Sequence, residues 1–206
     1  MARRPEGGTS RTATTAVALH PLLARRWSTL AFDTQVPLTD RQVTALLEAA
    51  RWAPSANNSQ PWRFLVGRRG STDFLRLLAV LHPGNRTWAA DAAALVLAVA
   101  VTEDAEGNHR GYAAYDVGQA VAHLTAQAEA EGLAVHQMGG FDRAKTTTEF
   151  GLPTGTEPLV VIAVGSPGDA RNLPAALAAR EVAPRERLPL ESIVLPATEP
   201  ALSLTA

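Results

Sequence analysis

The chain has 206 residues, of which 46% are hydrophobic, and this suits one domain with a substantial core and excludes a largely disordered protein. Its 19 basic and 20 acidic residues leave a formal charge of −1, so the charge balance favours neither a nucleic-acid partner nor an anionic membrane. The chain has no cysteine, which excludes disulfides and thiolate metal sites and agrees with the cytoplasmic location that we expect.

Both ends of the chain are expected to be tails. Residues 1–18 are rich in Arg, Thr, Ala and Gly, a composition with little apolar surface to bury. A transit peptide has a similar composition, but the segment lacks the apolar core of a secretory signal. We therefore predict a disordered tail over 1–18, a single domain over 19–196 and a second tail over 197–206.

The clearest helix signal starts at Thr39. Its hydroxyl can accept a hydrogen bond from a first-turn amide while Gln42 reaches back, as in a capping box. Apolar residues then recur at helical spacing as far as Ala50, and Pro54 ends the pattern. Soon afterwards Phe64–Val66 is predicted to be a short strand.

Further helices and strands follow along the chain. A second helix is expected to start at Ser71 and to end near residues 83–84, a Pro-Gly pair. The longest apolar run, Ala92 to Val101, has ten residues and is too short for a membrane helix, which needs about 20. Its valine-rich part, Leu95–Val101, is predicted to be a buried strand.

The second half of the chain shows one long helix, one strand and a weakly patterned end. The helix includes Val117–Ala128, and Gly132 is placed just past its end, where a left-handed residue is common. The strand is Leu159–Val164. Residues 172–196 have little periodicity, which would suit an arm lying on a partner subunit. The loose alternation of helices and strands predicts an α+β fold.

Several kinds of chemistry find no support in the residues. The five histidines are scattered without metal-ligand spacing, and we predict no metal site. There is no phosphate-cradling glycine loop and no nucleophile elbow. If the protein is an enzyme, its reactive group is therefore expected to be a cofactor, with no catalytic side chain.

The most informative stretch is residues 53–64, APSANNSQPWRF. Small hydroxyl and amide side chains lie there between two prolines, and they would suit either an ordinary helix-to-strand connection or a rigid rim around a flavin edge. The stretch resembles the "P-S-S-x-N-x-Q-P-W" loop of the nitroreductase family, except for an alanine at the third position. The resemblance implies flavin mononucleotide (FMN) contacts from Pro54, Ser55, Ala56, Asn58 and Gln60.

A second match lies near the N-terminus. Arg25, Arg26, Trp27 and Ser28 are similar to the family's "R-R/H-S-x-R/K-x-F" signature, although a basic turn before a helix would look the same. The resemblance implies that all four contact FMN and that Arg26 and Ser28 bind its phosphate. A buried phosphate requires charge-assisted donors, which arginine supplies in bidentate form.

Three further parts of the sequence match the family in the same order. Asn85 is placed like an amide that contacts the flavin ring, and Gly139 and Gly140 lie in a turn where a backbone N–H approaches flavin N5. Arg185 and Arg187 are similar to a C-terminal "K/R-x-R" element. Because they alternate along an extended chain, both could face one side and complete a phosphate cage.

The resemblance implies a nitroreductase-like fold with a central, mainly antiparallel sheet flanked by helices. It also implies an intertwined homodimer with the flavin site at its interface and an extended C-terminal arm. The activity would be an FMN-dependent oxidoreductase that takes hydride from NADH or NADPH and reduces a small acceptor, a nitroaromatic or quinone. A flavin-binding protein with little turnover is the alternative; specialised chemistry such as azoline oxidation is a third.

The chain departs from the family at Leu30 and Trp88, where relatives often place basic residues near flavin N1 and O2. A positive neighbour favours the charged, reduced ring, so apolar residues there predict a lower reduction potential. Arg63, Arg86 or Arg185 could substitute for the missing cations. This departure is what motivates the alternative of a flavin-binding protein with little turnover.

Overall fold

The computed structural model describes residues 11–195. Residues 1–10 and 196–206 lie outside that range, and with them most of the two expected tails. The tail boundary at residue 18 stays a prediction, although Ala13 N already donates to Ala24 O at 2.8 Å.

Seven α-helices and four strands form the described part of the chain. The helices are α1 Pro21–Arg25, α2 Asp40–Arg51, α3 Thr72–Val80, α4 Pro83–Ala89, α5 Ala113–Ala130, α6 Arg143–Phe150 and α7 Ala175–Val182. The strands are β1 Trp62–Arg68, β2 Ala94–Val101, β3 Ala134–Met138 and β4 Thr156–Gly165.

The strands form one sheet in the order β1-β2-β4-β3, and every neighbouring pair is antiparallel. Phe64 pairs with Ala98, Ala98 pairs with Val160, and Gln137 pairs with Ile162. The expected α+β architecture with an antiparallel central sheet is confirmed. β1 and β3 are the two edges, about 14 Å apart at the usual spacing between strands.

Helices cover both faces of the sheet, which explains why β2 is apolar without alternation. Even-numbered residues of β2, such as Val96 and Ala98, pack in one core with α2 and α5. Odd-numbered residues, such as Leu95 and Leu97, pack in a second core with α3, α4 and Phe32. Successive side chains of a strand point to opposite faces, so a strand between two cores must be apolar throughout.

The predicted helix signals are confirmed in detail at two places. Thr39 and Gln42 form both hydrogen bonds of the capping box at the start of α2. Gly132, just past α5, has φ +74°, the left-handed conformation that glycine adopts without a steric penalty.

Other elements differ from expectation. The Pro-Gly pair at 83–84 does not end a helix but begins α4, since α3 already ends at Val80; proline suits the first helical turn, where its missing N–H is not needed. α1, β3, α6 and α7 were not predicted either. β3 is a five-residue edge strand, and α6 carries mostly polar residues, so neither has a strong apolar period. None of the helices in residues 11–195 is long and apolar enough to cross a membrane.

Candidate functional site

The loop between α2 and β1 has an unusual backbone. Asn57, Asn58 and Gln60 have φ values of 51°, 55° and 45°, in the left-handed region that costs most non-glycine residues about 1 kcal/mol or more. The Ser55 hydroxyl accepts a hydrogen bond from Gln60 N at 3.0 Å and closes the loop. Strained backbone of this kind is concentrated at functional sites.

A buried carboxylate fixes this loop to the start of α5. Asp116 is 2% exposed, and its Oδ2 accepts a hydrogen bond from Ala56 N at 3.0 Å. Arg110 donates to Ser59 O at 3.2 Å from the segment before α5. The side chains of Asn57 and Asn58 remain exposed, so the loop presents amides outward on a rigid base.

The N-terminal motif is held by a second buried carboxylate, Glu181 of α7, which is 6% exposed. Glu181 accepts hydrogen bonds from Trp27 Nε1 at 2.8 Å, Thr29 Oγ1 at 2.8 Å and Leu30 N at 2.6 Å. The indole N–H of Trp27 is therefore engaged within the protein. Arg25 forms an ion pair with Glu129 of α5 at 3.8 Å.

Four arginines lie close together beside this motif. Burial, and then the positive charges of Arg26, Arg187 and Arg11, lower the pKa of Arg185. Arg185 Nη1 donates to Arg11 O and to Ala24 O, at 2.6 and 2.8 Å. The Arg26 side chain has no hydrogen-bond or ion-pair partner among residues 11–195. A cluster of like charges with unused donors is suited to bind an anion.

Asn85 and the glycine turn meet at the end of β3. Asn85 Nδ2 donates to Gly140 O at 3.1 Å, and a Cβ atom at Gly140 would lie 2.8 Å from that nitrogen. Any larger residue at position 140 would therefore displace the Asn85 side chain from this hydrogen bond. The backbone amides of Gly139 and Gly140 have no hydrogen-bond acceptor within residues 11–195, so both can donate to a ligand.

One chain brings together only part of the predicted set. His136 of β3 contacts Thr29 O at 2.8 Å, which places the N-terminal motif and the glycine turn on the same edge of the sheet. The 54–60 loop precedes β1 at the other edge. Ala56 binds α5 at Asp116, whereas Arg25 binds it at Glu129, and these points are about 20 Å apart along the helix.

The two positions where relatives often carry cations point into the core. Leu30 is 4% exposed and Trp88 is 2% exposed; the Trp88 ring stacks on Phe32 and contacts His136 at an interplanar angle of 38°. Both side chains are part of the core that lies on the α3–α4 face of the sheet. The expected lower potential stays a prediction.

The arginines named as substitutes donate to backbone carbonyls. Arg86 binds Ala79 O and Leu81 O at the end of α3, and Arg63 binds Gln60 O and Trp62 O beside the strained loop. Of these two, Arg63 is the one that lies beside predicted flavin contacts.

Sequence reasoning missed Glu181, Asp116 and Arg11. Asp116 could have been found, because it falls on the same helical face as the apolar residues of α5, where an acid must find a partner. Glu181 and Arg11 carried no such signal, since both lie in segments without periodicity. A groove of about 260 Å³ between α3 and α6 contains none of the predicted site residues and is separate from the candidate site.

His136 is expected to make stability pH-dependent. Burial lowers its pKa, outweighing the hydrogen bond to Thr29 O and the charge of Glu181, which raise it, while Arg180 lowers it. Below about pH 6.5 the unfolded chain gains a proton that the folded ring resists. The free energy of unfolding therefore decreases as pH falls below about 6.5. The His136→Gln variant should lose less of its stability over the same range. Unfolding temperatures of both proteins at about pH 7.5 and 5.5 measure the difference; equal losses would contradict this role.

A family model described as the nitroreductase family matches residues 23–79 and 76–166, more than half of the chain. The chain belongs to the nitroreductase family. The match includes the N-terminal motif, the strained loop, Asn85 and the glycine turn of this chain. It ends before Glu181 and the C-terminal arginines, and it starts after Arg11.

Individual relatives agree with this assignment. An uncharacterized 15.4 kDa protein in the ask 5′ region of Mycolicibacterium smegmatis is 41% identical over 139 residues, covering 64% of this chain and 92% of that protein. An oxygen-insensitive NAD(P)H nitroreductase of Enterobacter cloacae is 28% identical over 213 residues, covering 82% of this chain and 95% of that protein. A solved structure of an oxidoreductase containing FMN is 32% identical with a TM-score of 0.85. The match covers 92% of this chain and 96% of that one.

The predicted family, its oxidoreductase class and the antiparallel nitroreductase-like fold are thus confirmed. The roles of individual residues toward a cofactor stay predictions, as do the homodimer and the C-terminal arm.

Proposed function

We propose that this protein is an FMN-dependent oxidoreductase that takes hydride from NADH or NADPH and reduces a small nitroaromatic, quinone or related acceptor. The observation that carries the proposal is the cluster of Arg11, Arg26, Arg185 and Arg187, in which Arg185 donates to the carbonyl of Arg11. Its positive charge and free donors fit a nucleotide phosphate. The similarity to an oxidoreductase containing FMN over 92% of the chain supports the same cofactor.

The residues present fit both ends of such a nucleotide. Arg26, Ser28 and Arg187 would bind the phosphate, whereas Arg185 would hold the cage together, because its Nη1 is occupied by two carbonyls. The free amides of Gly139 and Gly140 and the side chain of Asn85 would contact the ring. When bound, FMN would supply the electron-transfer chemistry. We assign no side chain a proton-transfer role.

We infer that a second subunit completes the site. The strained 54–60 loop and the glycine turn lie at opposite edges of the sheet, so the loop that reaches the ring would come from the partner. Its amides, rigidly mounted on Asp116, would then line the ring from the other side. The chain would thus supply the phosphate cage to its own FMN and the loop to its partner's.

The surface of α5 supports this dimer. Its exposed face carries small residues at every fourth position, including Ala114, Gly118 and Ala122. Glycine inside a helix costs about 1 kcal/mol relative to alanine, yet a Cβ at Gly118 would meet nothing within 4 Å. No contact within the described part of the chain requires this glycine, whereas a closely packed second helix would.

The C-terminal segment supports the dimer independently. α7 is held to its own chain through Glu181, so an arm that reaches the partner would begin after Arg187. Residues 188–195 include five large apolar side chains exposed by 43% to 87%. So many exposed apolar side chains in eight residues indicate a contact with another protein surface, and we propose the partner subunit.

The purified protein should be yellow or become so after incubation with FMN, with absorbance that exceeds an FMN blank after desalting. Stopped-flow mixing with NADH or NADPH should then bleach the flavin absorbance within seconds, and addition of a quinone should restore it. A bound flavin that neither donor reduces would instead support a flavin-binding protein with little turnover. A protein that retains no flavin absorbance after incubation with excess FMN and desalting would refute both interpretations.

A further inference from the structure

The carboxylate of Glu181 controls which way the N-terminal motif faces. Trp27 and Thr29 direct their donors to Glu181 Oε1, and Leu30 N binds Oε2. In an extended segment alternate side chains point to opposite sides. With Trp27 and Thr29 turned toward Glu181, Arg26 and Ser28 are turned away from it, and Ser28 is exposed.

Arginine contacts connect the same segments a second time. Arg11 donates to Glu181 O and, at 2.9 Å, to Ala183 O, and its Nη1 lies 3.9 Å from Glu181 Oε1. Arg185 in turn donates to Arg11 O and Ala24 O. These hydrogen bonds therefore connect three segments of the chain, residues 11–13, 24–30 and 181–185. Glu181 contacts Arg11 as well as Trp27, Thr29 and Leu30.

We propose that Glu181 is a positioning residue that aims Arg26 and Ser28 at the phosphate of the cofactor, with Arg11 as its supporting cation. This inference rests on the proposed function, because it presupposes that FMN binds here. Glu181 itself would not touch the nucleotide, because it is buried and both of its carboxylate oxygens already accept hydrogen bonds from the N-terminal motif.

The test compares two ligands that share one ring: FMN and riboflavin, which lacks the phosphate. A glutamine at position 181 offers one acceptor oxygen and places an NH₂ group against donors. Glu181→Gln should weaken FMN binding by about tenfold or more and change riboflavin binding by less than about twofold. Fluorescence titration of the full-length protein measures both dissociation constants, and Arg26→Ala gives the reference for a selective loss.

Asp116→Ala is the matched control, because Asp116 is also a buried carboxylate but holds the loop assigned to the ring. Asp116→Ala should weaken the binding of FMN and of riboflavin by the same factor. If Glu181→Gln does not fold, Thr29→Val removes one of its three donors and should shift the two constants in the same selective direction. Equal losses of FMN and riboflavin, or no loss, in these variants would overturn the positioning role. A wild-type protein that binds neither flavin would instead overturn the proposed function, and this inference with it.

Discussion

Arg26→Ala and Arg187→Ala are each expected to weaken FMN binding by roughly 2–5 kcal/mol, the usual cost of removing one partner from a charged, hydrogen-bonded pair. The loss should be large because the remaining arginines would bind a dianion with fewer donors. Both variants should fold normally, since neither side chain holds distant parts of the chain together. FMN content after purification and the dissociation constant on titration measure the effect.

Arg171→Ala is the matched control for this pair. It removes the same charge from an exposed side chain whose partner among residues 11–195 is Asp169, so FMN affinity should not change. Unchanged FMN occupancy in both Arg26→Ala and Arg187→Ala would reject the phosphate cage as assigned.

Gly118→Leu is expected to separate the subunits and to remove flavin. In an isolated chain the substitution should stabilise α5 by up to about 1 kcal/mol, because leucine is a better helix former than glycine and a Cβ there meets no neighbour. In a dimer with α5 packed closely on its partner, the added side chain would force the helices apart. Sedimentation at micromolar concentration should show about twice the chain mass for the wild type and one chain mass for the variant.

Thr148→Leu provides the comparison for Gly118→Leu. It adds an exposed leucine to α6, which packs against α3 and β4, and it should leave both mass and flavin content unchanged. A wild-type protein that sediments as a strict monomer, or a Gly118→Leu dimer with full flavin content, would contradict the shared site.

Local structure was largely predictable from residues close together in the chain. Thr39 and Gln42 each accept a hydrogen bond from the other's backbone amide within one helical turn. The valine-rich run of β2 can be buried only as a strand or a short helix segment. Such signals need no distant partner. The weak elements, β3 and α6, were missed because their residues form a strand and a helix through tertiary contacts, not through their own pattern.

The candidate site divides in the same way. The sequence alone determined the motifs: Arg26 and Ser28 near the start, the loop from Pro54 to Gln60, the glycine turn and the C-terminal arginines. Their order and types were enough to name the family. They could not show which motifs meet, because residues far apart in the chain become neighbours only when the sheet and helices pack.

Only the tertiary structure decided how the motifs are distributed and supported. It placed the arginines and the glycine turn on one edge of the sheet, and the strained loop about 20 Å away along α5 from the point where Arg25 binds. It also buried Glu181 against the N-terminal motif and Asp116 against the strained loop. A buried carboxylate is stable only with donors around it, and those donors come from segments that no local pattern connects.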